Sequence, residues 1–533
     1  MRLGKPSLFS IAAIFALSSL GAGQNPSAPA APTLHVYSRE TIVDVLVTDD
    51  KGQPVRGLTR SDFTVEEDGN AQPIRGFREY DKNTPPAPAR ALPPNTHTNS
   101  TALPANGPVQ IFLFDRLATP PAVMQRAKQY IADYFRTMPA GTQVALFEFS
   151  PTKHLALLQG LTSDGRLAAA AVDKLDVEWD PSVGIVAGKT IFVAGLHQIA
   201  AYVAGIHGRK NLIWIRPGSP IPILHDGGLS WGLRDMVYIH QLMNLYDIFT
   251  REQIAIYPLD PRGVHTIGPL GLPAGTMDSL DAAMNFLGKA EVPLLEAAVA
   301  DGTGGATSNS NDFQGTIAKI VDDTLHGYTL SYVPPRPDED GHFHPIKITV
   351  DRPGLHLNYR PGYNDEQPLP PDAVLKQQMI QGPMRLGAIP ATQILFDLQV
   401  QPASSSARPA KTAVSSSATL HTKGAPYTVL FTFDPTQITL TETPDGTRTA
   451  NIELDLGAFD FYGKLVATRS QTFMITVTPA QYNGFFRTPL KFSLPIDLPR
   501  GQLKLRAGVF DTAANKVGTL EIPLTVPKNP VPR

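Results

Sequence analysis

The side chains with chemistry to offer stand at the ends of apolar runs. Val109 to Phe114 is a short apolar strand that runs straight into Asp115, with Leu117 and Thr119 at alternate positions beyond it. A carboxylate and a hydroxyl at such a place are hard oxygen donors, suited to Mg²⁺ or to a partner's polar groups. Two more runs end on charge: NLIWI leads to Arg216, and IAIYPL leads to Asp260, with Arg262 two residues later. Asp-Pro is an ordinary turn opener, and the same Asp260 and Arg262 also suit a recognition rim. His342 and His344 are placed at strand spacing on one face, a pattern that ligates Zn²⁺ if a third donor is near. No cysteine or Glu-x-x-His pattern joins them, so edge-strand histidines are the default expectation. Gly188-Lys189-Thr190 is not a phosphate loop, because the required earlier glycine falls on Val183. Trp179, Trp214 and Trp231 read as packing residues rather than a sugar platform.

These residues need a scaffold, and from 108 onward the pattern alternates strands with amphipathic helices. AVMQRAKQYIADYFRTM carries Val123, Ala127, Tyr130, Ile131 and Phe135 on one side, as a surface helix does. The alternation predicts a doubly wound, open parallel sheet over 108–335, covered on both faces and closed by a last helix and the edge strand of YTLSYVP. Ligands of such sheets bind beyond the C-terminal strand ends. Around this unit the sequence is β-rich. Residues 34–81 form an N-terminal β unit too small to stand alone, 82–107 a Pro-rich linker, and 336–365 a β-hairpin extension. Residues 370–533 read as an all-β Ig-like sandwich, with one short helical stretch at Val374 to Met379 and an exposed serine-rich segment at 404–417.

Composition narrows the class. The chain has 533 residues, 46 basic against 48 acidic, and a net charge of −2. It carries no basic stripe, so nucleic acid is not an expected partner. Arg2 and Lys5 precede the apolar run Leu8 to Leu20, and Gly21, Ala22 and Gly23 follow, which reads as a signal peptide over 1–23. The expected address is therefore secreted or periplasmic. With 0 cysteines the domains rely on their cores rather than on disulfides, and a lipid-modified cysteine is excluded. No later run reaches the roughly 20 apolar residues of a membrane helix, so no integral membrane segment is expected after signal removal.

VTDDKGQPVRGLTRSDFTVEEDG, FDRLAT, LTSDGRL, GRKNLIWI, IYPLDPRG, the TGG at 303–305 and the run from YTLSYVP to YRPGY together resemble the von Willebrand factor A-related family typical of acidobacteria. The resemblance covers roughly residues 34 to 533. It implies an exported, doubly wound von Willebrand factor A-like domain with β flanks and no established common activity. The family's A-domain pattern is Asp-x-Ser-x-Ser with a threonine from a second loop and an aspartate from a third. Matched to it, the metal ligands would be Asp115, Thr119 and Thr190, but Leu117 offers no oxygen and Arg216-Pro217-Gly218 stands where Thr-Asp-Gly belongs. Three readings stay open: a rebuilt Mg²⁺ site, an internal ion pair in which Arg216 replaces the cation at Asp115, and an Asp115 that merely caps the next helix.

The expected function is a non-catalytic protein-interaction or adhesion module presenting the top loops of an A-type domain with a degenerate metal site. Asp115, Arg216, Asp260 and Arg262 mark that face, the protein ligand is unknown, and no cofactor is expected. The alternatives are a secreted hydrolase using Asp115 and Asp260, and metal-dependent adhesion through a rebuilt Mg²⁺ site.

Overall fold

Seven consecutive buried residues, Val109–Asp115 (β1), form the middle of a five-stranded sheet. Such a run fits a strand covered on both faces. Its neighbours are Gln143–Ser150 (β2), His154–Thr162 (β3), Lys210–Ile215 (β4) and Ile254–Leu259 (β5), in the order β5-β4-β1-β2-β3. The structure is a computed structural model that describes residues 40–80, 91–100, 108–117, 119–150, 154–177, 185–206, 208–216, 245–262, 300–308, 310–334, 342–364, 382–403, 413–415 and 424–527, without the side chains of 185–190, 364 and 413–415. The segments read as a signal peptide and as the helical stretch Val374 to Met379 lie outside these residues.

Strand alternation sorts the two layers. Phe112 and Phe114 face the helices Pro121–Arg136 (α1), Gly165–Asp173 (α2) and Phe313–Thr324 (α4), meeting Ile131, Phe135, Val172 and Ile317. Ile111 and Leu113 face Ile185–Val203 (α3) and the helical residues from 245, meeting Leu196, Ile199 and Phe249. The sheet is mixed rather than all parallel. β5, β4, β1 and β2 run parallel, whereas β3 returns antiparallel to β2. Only residues 151–153 separate those two strands, too few for the crossover that parallel pairing demands.

The TGG motif closes the free edge at β5. Ile256 N–H donates to Thr303 Oγ1 at 2.9 Å, and that hydroxyl donates to Ala300 O at 3.0 Å. A Cβ on Gly305 would lie 1.9 Å from Ile256 O, so only glycine admits this approach. The GRK motif also serves the scaffold: buried Arg209 donates to Asn211 Oδ1 at 3.0 Å, to Tyr257 OH at 2.9 Å and to Gly304 O. At the base of the unit, Gln110 Nε2 reaches Thr324 Oγ1 at 3.3 Å, joining the start of β1 to the end of α4.

Gly327–Tyr332 was expected as the edge strand of this sheet; instead it lies between Thr41–Asp49 and Gly76–Tyr80 in a separate antiparallel sheet that Leu355–Asn358 completes. Its apolar Tyr328, Leu330 and Tyr332 alternate with the polar Thr329 and Ser331, the side-chain pattern of an antiparallel strand rather than of a continuous apolar one. A second sheet, Gly362–Asn364, Phe343–Val350, Phe63–Glu67 and Asn70–Gln72, shares its core of Val43, Val45, Phe63, Val65, Ile346 and Ile348. The described residues of 34–81 and 336–365 therefore share one β unit, and the α/β unit is inserted between its halves.

The C-terminal residues form two antiparallel sheets whose inward side chains, among them Leu398, Phe431, Leu454, Leu494 and Leu505, make one cluster. One strand comes from the stretch expected to be linker. Thr96–Thr98 pairs with Gln399–Asp397, and Asn99 beside it donates to Ala391 O and Ile394 O and accepts from Phe396 N–H. Within the serine-rich segment, Ala413–Ser415 pairs with Phe473 and Thr472. Among the described residues no helix is long and apolar enough to cross a membrane.

Candidate functional site

The register of the central sheet builds the site. Ile215 pairs with Phe114 on one side and with Leu259 on the other, so the residues that follow, Asp115, Arg216 and Asp260, form a row along the C-terminal edge. Arg216 Nη1 stands 3.2 Å from Asp115 Oδ2, with side-chain exposures of 10% and 2%. The other carboxylate oxygen, Oδ1, accepts the Leu117 N–H at 3.1 Å. Arg216 is itself held by the strand edge, its N–H donating to Leu259 O at 3.2 Å. A buried pair tied to backbone at both ends has little freedom to reorganise, and removing one partner would take from the other charge a close buried counterion.

These donors do not suit Mg²⁺, which needs about six oxygens in near-octahedral array. A guanidinium already stands against Asp115, and Leu117 packs on the core of the α3 layer. Thr119 is 1% exposed, and its hydroxyl has no hydrogen-bond partner among the described residues. Thr190 falls within α3, but its side chain is outside the described residues, as are Pro217 and Gly218. Asp260 and Arg262 make a local unit: Arg262 N–H donates to Asp260 Oδ1 at 2.9 Å, and Arg262 Nη2 meets Oδ2 at 2.6 Å. The pair closes the turn after β5. Most of the loops 216–230 and 260–266 lie outside the described residues.

A second ion cluster at the same edge escaped the sequence reading. Arg116 is buried, with Nη1 3.1 Å from Glu148 Oε2 and Nη2 3.0 Å from Asp176 Oδ2. By alternation, Glu148 belongs to the face of Val144 and Leu146, whereas Asp115 belongs to that of Ile111 and Leu113. The edge thus carries one arginine–carboxylate group on each face of the sheet. The available signal was Glu148 itself, a charge inside the apolar strand QVALFEFS; such a residue stays buried only with a partner.

Two further groups have shifted protonation. Burial pushes His197, on α3, down to about 4, and its Nε2 has no hydrogen-bond partner among the described residues. Burial also pushes Lys210 down to about 8, and its Nζ donates to Glu252 O at 2.6 Å. Neither group reaches the Asp115 row. His342 and His344 belong to the β unit and do not act as a pair: His342 is exposed ahead of the strand, whereas His344 is buried within it.

No family model matches the chain, and no curated protein matches it. Among solved structures it is similar to an aerotolerance-related membrane protein from Bacteroides fragilis, at 14% identity over 40% of this chain and 99% of that one, with a TM-score of 0.25. It is also similar to proximal thread matrix protein 1 of the mussel byssus, a structure with a zinc-occupied MIDAS motif, at 17% identity over 42% of this chain and 47% of that one, TM-score 0.25. The ArnB paralog VWA2 from Sulfolobus acidocaldarius aligns at 7% identity over 91% of this chain and 75% of that one, TM-score 0.23. At such scores the likeness adds nothing to what strand order and the two helix layers show by themselves, an open, mostly parallel sheet covered on both faces.

Proposed function

We propose that this chain is a non-catalytic protein-interaction or adhesion module that presents the C-terminal edge of its α/β sheet to a protein ligand, after export to the periplasm or beyond. The Asp115–Arg216 pair carries this reading. It fills with a side-chain cation the place where an A-type domain would hold a metal, so the face is set without an ion. The neighbouring Arg116–Glu148–Asp176 group gives the same edge a second fixed charge pattern, and fixed charges at a rim select partners and steer their approach. The signal-like segment at 1–23 supports export. Hydrolysis finds no comparable support, because the Asp115 carboxylate is engaged by a guanidinium and a backbone N–H.

Thermal unfolding of EDTA-treated protein, titrated with Mg²⁺, Mn²⁺ and Ca²⁺, tests the metal-free face. A bound ion must stabilise the fold by mass action, by about 2.7 kcal/mol at a hundredfold excess over Kd, and so raise the midpoint. The expected result is no rise that depends on Asp115. A cation-dependent rise in the wild type that disappears in Asp115→Ala would replace this reading with metal-dependent adhesion. Ligand capture by wild type and by Arg216→Gln then locates the binding face; equal capture by both removes the row from it.

A further inference from the structure

The β unit contains a cluster that the proposed function leaves unused. Glu67 ends its strand and His344 lies near the start of the strand paired with it, where Ile346 faces Glu67 and Asp68 N–H donates to Pro345 O at 3.1 Å. This register brings Asp68 beside the imidazole, with His344 Nδ1 2.8 Å from Asp68 Oδ2. One donor atom from each of Glu67, Asp68 and His344 lies within 4.8 Å of the others. Glu67 and His344 are 4% and 6% exposed, whereas Asp68 is exposed and stands at the mouth.

The surroundings of Glu67 resemble an outer shell. The hydroxyls of Tyr332 and Tyr363 both donate to its Oε2, while Oε1 accepts no hydrogen bond among the described residues. Outer hydrogen bonds of this kind fix a ligating carboxylate and orient its remaining oxygen. Tyr363 also sits opposite His344 in the register, with ring centroids 5.3 Å apart, which holds the imidazole in place.

We infer that Glu67, Asp68 and His344 bind a zinc-type divalent ion, with water completing the coordination. One imidazole nitrogen and two carboxylates form a donor set that Zn²⁺ accepts in tetrahedral geometry, and the imidazole disfavours Ca²⁺ and Mg²⁺, which prefer oxygen alone. The ion takes the place of the direct His344–Asp68 contact and ties the turn at Asp68 to the strand Phe343–Val350. It therefore clamps the two strands at one end of the unit, far along the sequence from each other. This site is distinct from the Asp115 row.

The test uses the full mature chain stripped with EDTA and titrated calorimetrically with ZnCl2, and separately with CoCl2 to read the visible absorption of a tetrahedral nitrogen–oxygen site. Expected are one Zn²⁺ per chain and an affinity at least tenfold lower in Asp68→Asn and in His344→Gln, with Asp115→Asn binding as the wild type does. Asp68 is exposed, so its variant keeps the fold, which far-UV circular dichroism verifies. No zinc binding by the wild type, or equal binding by wild type, Asp68→Asn and His344→Gln, overturns the assignment and leaves a His344–Asp68 ion pair alone. Loss of zinc binding in Asp115→Asn with retention in Asp68→Asn would move the ion to the sheet edge and overturn both this site and the metal-free face.

Discussion

The buried pair at the sheet edge makes a quantitative demand. At 3.2 Å, two unit charges attract by ~5 kcal/mol at an effective dielectric of ~20, and desolvation of both groups offsets much of that. Removing one partner is a different matter, since it deprives a buried charge of its close counterion and costs about 3–5 kcal/mol. The two single variants should differ. Asp115 is 2% exposed and cannot reach water, whereas Arg216 is 10% exposed at the strand end; Arg216→Met should therefore destabilise more than Asp115→Asn. Asparagine also keeps an acceptor for the Leu117 N–H, so that variant isolates the charge. The double variant should be less destabilised than the sum of the singles by about 2 kcal/mol or more. Urea unfolding followed by Trp214 fluorescence reads this, because Trp214 is 1% exposed and two residues before Arg216; Trp179→Phe and Trp231→Phe remove the other emitters. Additivity within about 0.5 kcal/mol, the behaviour of independent sites, would refute a coupled pair and with it the metal-free face.

Acid should weaken the α/β unit through His197. Its imidazole is held near 4 in the fold by burial, against 6.5 ordinarily, so the unfolded chain binds the extra proton between those values. Stability is then fully present above pH 6.5, falls as pH drops toward 4, and loses about 3 kcal/mol in all at 1.36 kcal/mol per unit. His197→Phe should flatten that slope in urea titrations at pH 7 and pH 5, and an unchanged slope would assign the acid sensitivity to other groups. Gly305→Ala should destabilise by about 2 kcal/mol or more, because its Cβ meets the Ile256 backbone and backbone cannot move aside as a side chain can; a midpoint shift within error would show that the loop re-forms around it.

Periodicity made the α/β unit readable, and the reasons are local. Val109 to Phe114 is apolar at every position but Gln110, and α1 shows its buried stripe at Ala127, Ile131 and Phe135. Pairing was less legible, because it depends on contacts far apart in sequence. Gly327–Tyr332 was assigned to the wrong sheet since its neighbour in sequence is a helix of the α/β unit, although its alternation pointed elsewhere. Thr96–Thr98 has no apolar residue to announce a strand and is fixed by Asn99 and the strand beginning at Phe396. At the site, Asp115 and Arg216 were visible as charges ending apolar runs, and their meeting required the strand order β4-β1. Arg116, Glu148 and Asp176 come from three elements that no spacing rule connects.

The insertion of the α/β unit sets an order in time. Thr41–Asp49 leaves the ribosome early, yet one of its partners, Gly327–Tyr332, follows only after the whole inserted unit. Such distant pairings are slow to form from an open chain. The hydrogen bond from Gln110 to Thr324 shows that the folded insert returns its two ends to one place, which turns a long loop into a short one before the β strands meet. The α/β unit thus acts as the jig on which the β unit is assembled, and pulsed hydrogen exchange during refolding should protect β1 amides before those of Thr41–Asp49. Because the contact lies at the base of β1, the same experiment should find the opposite edge, with Asp115 and Arg216, protected before the flanking strands.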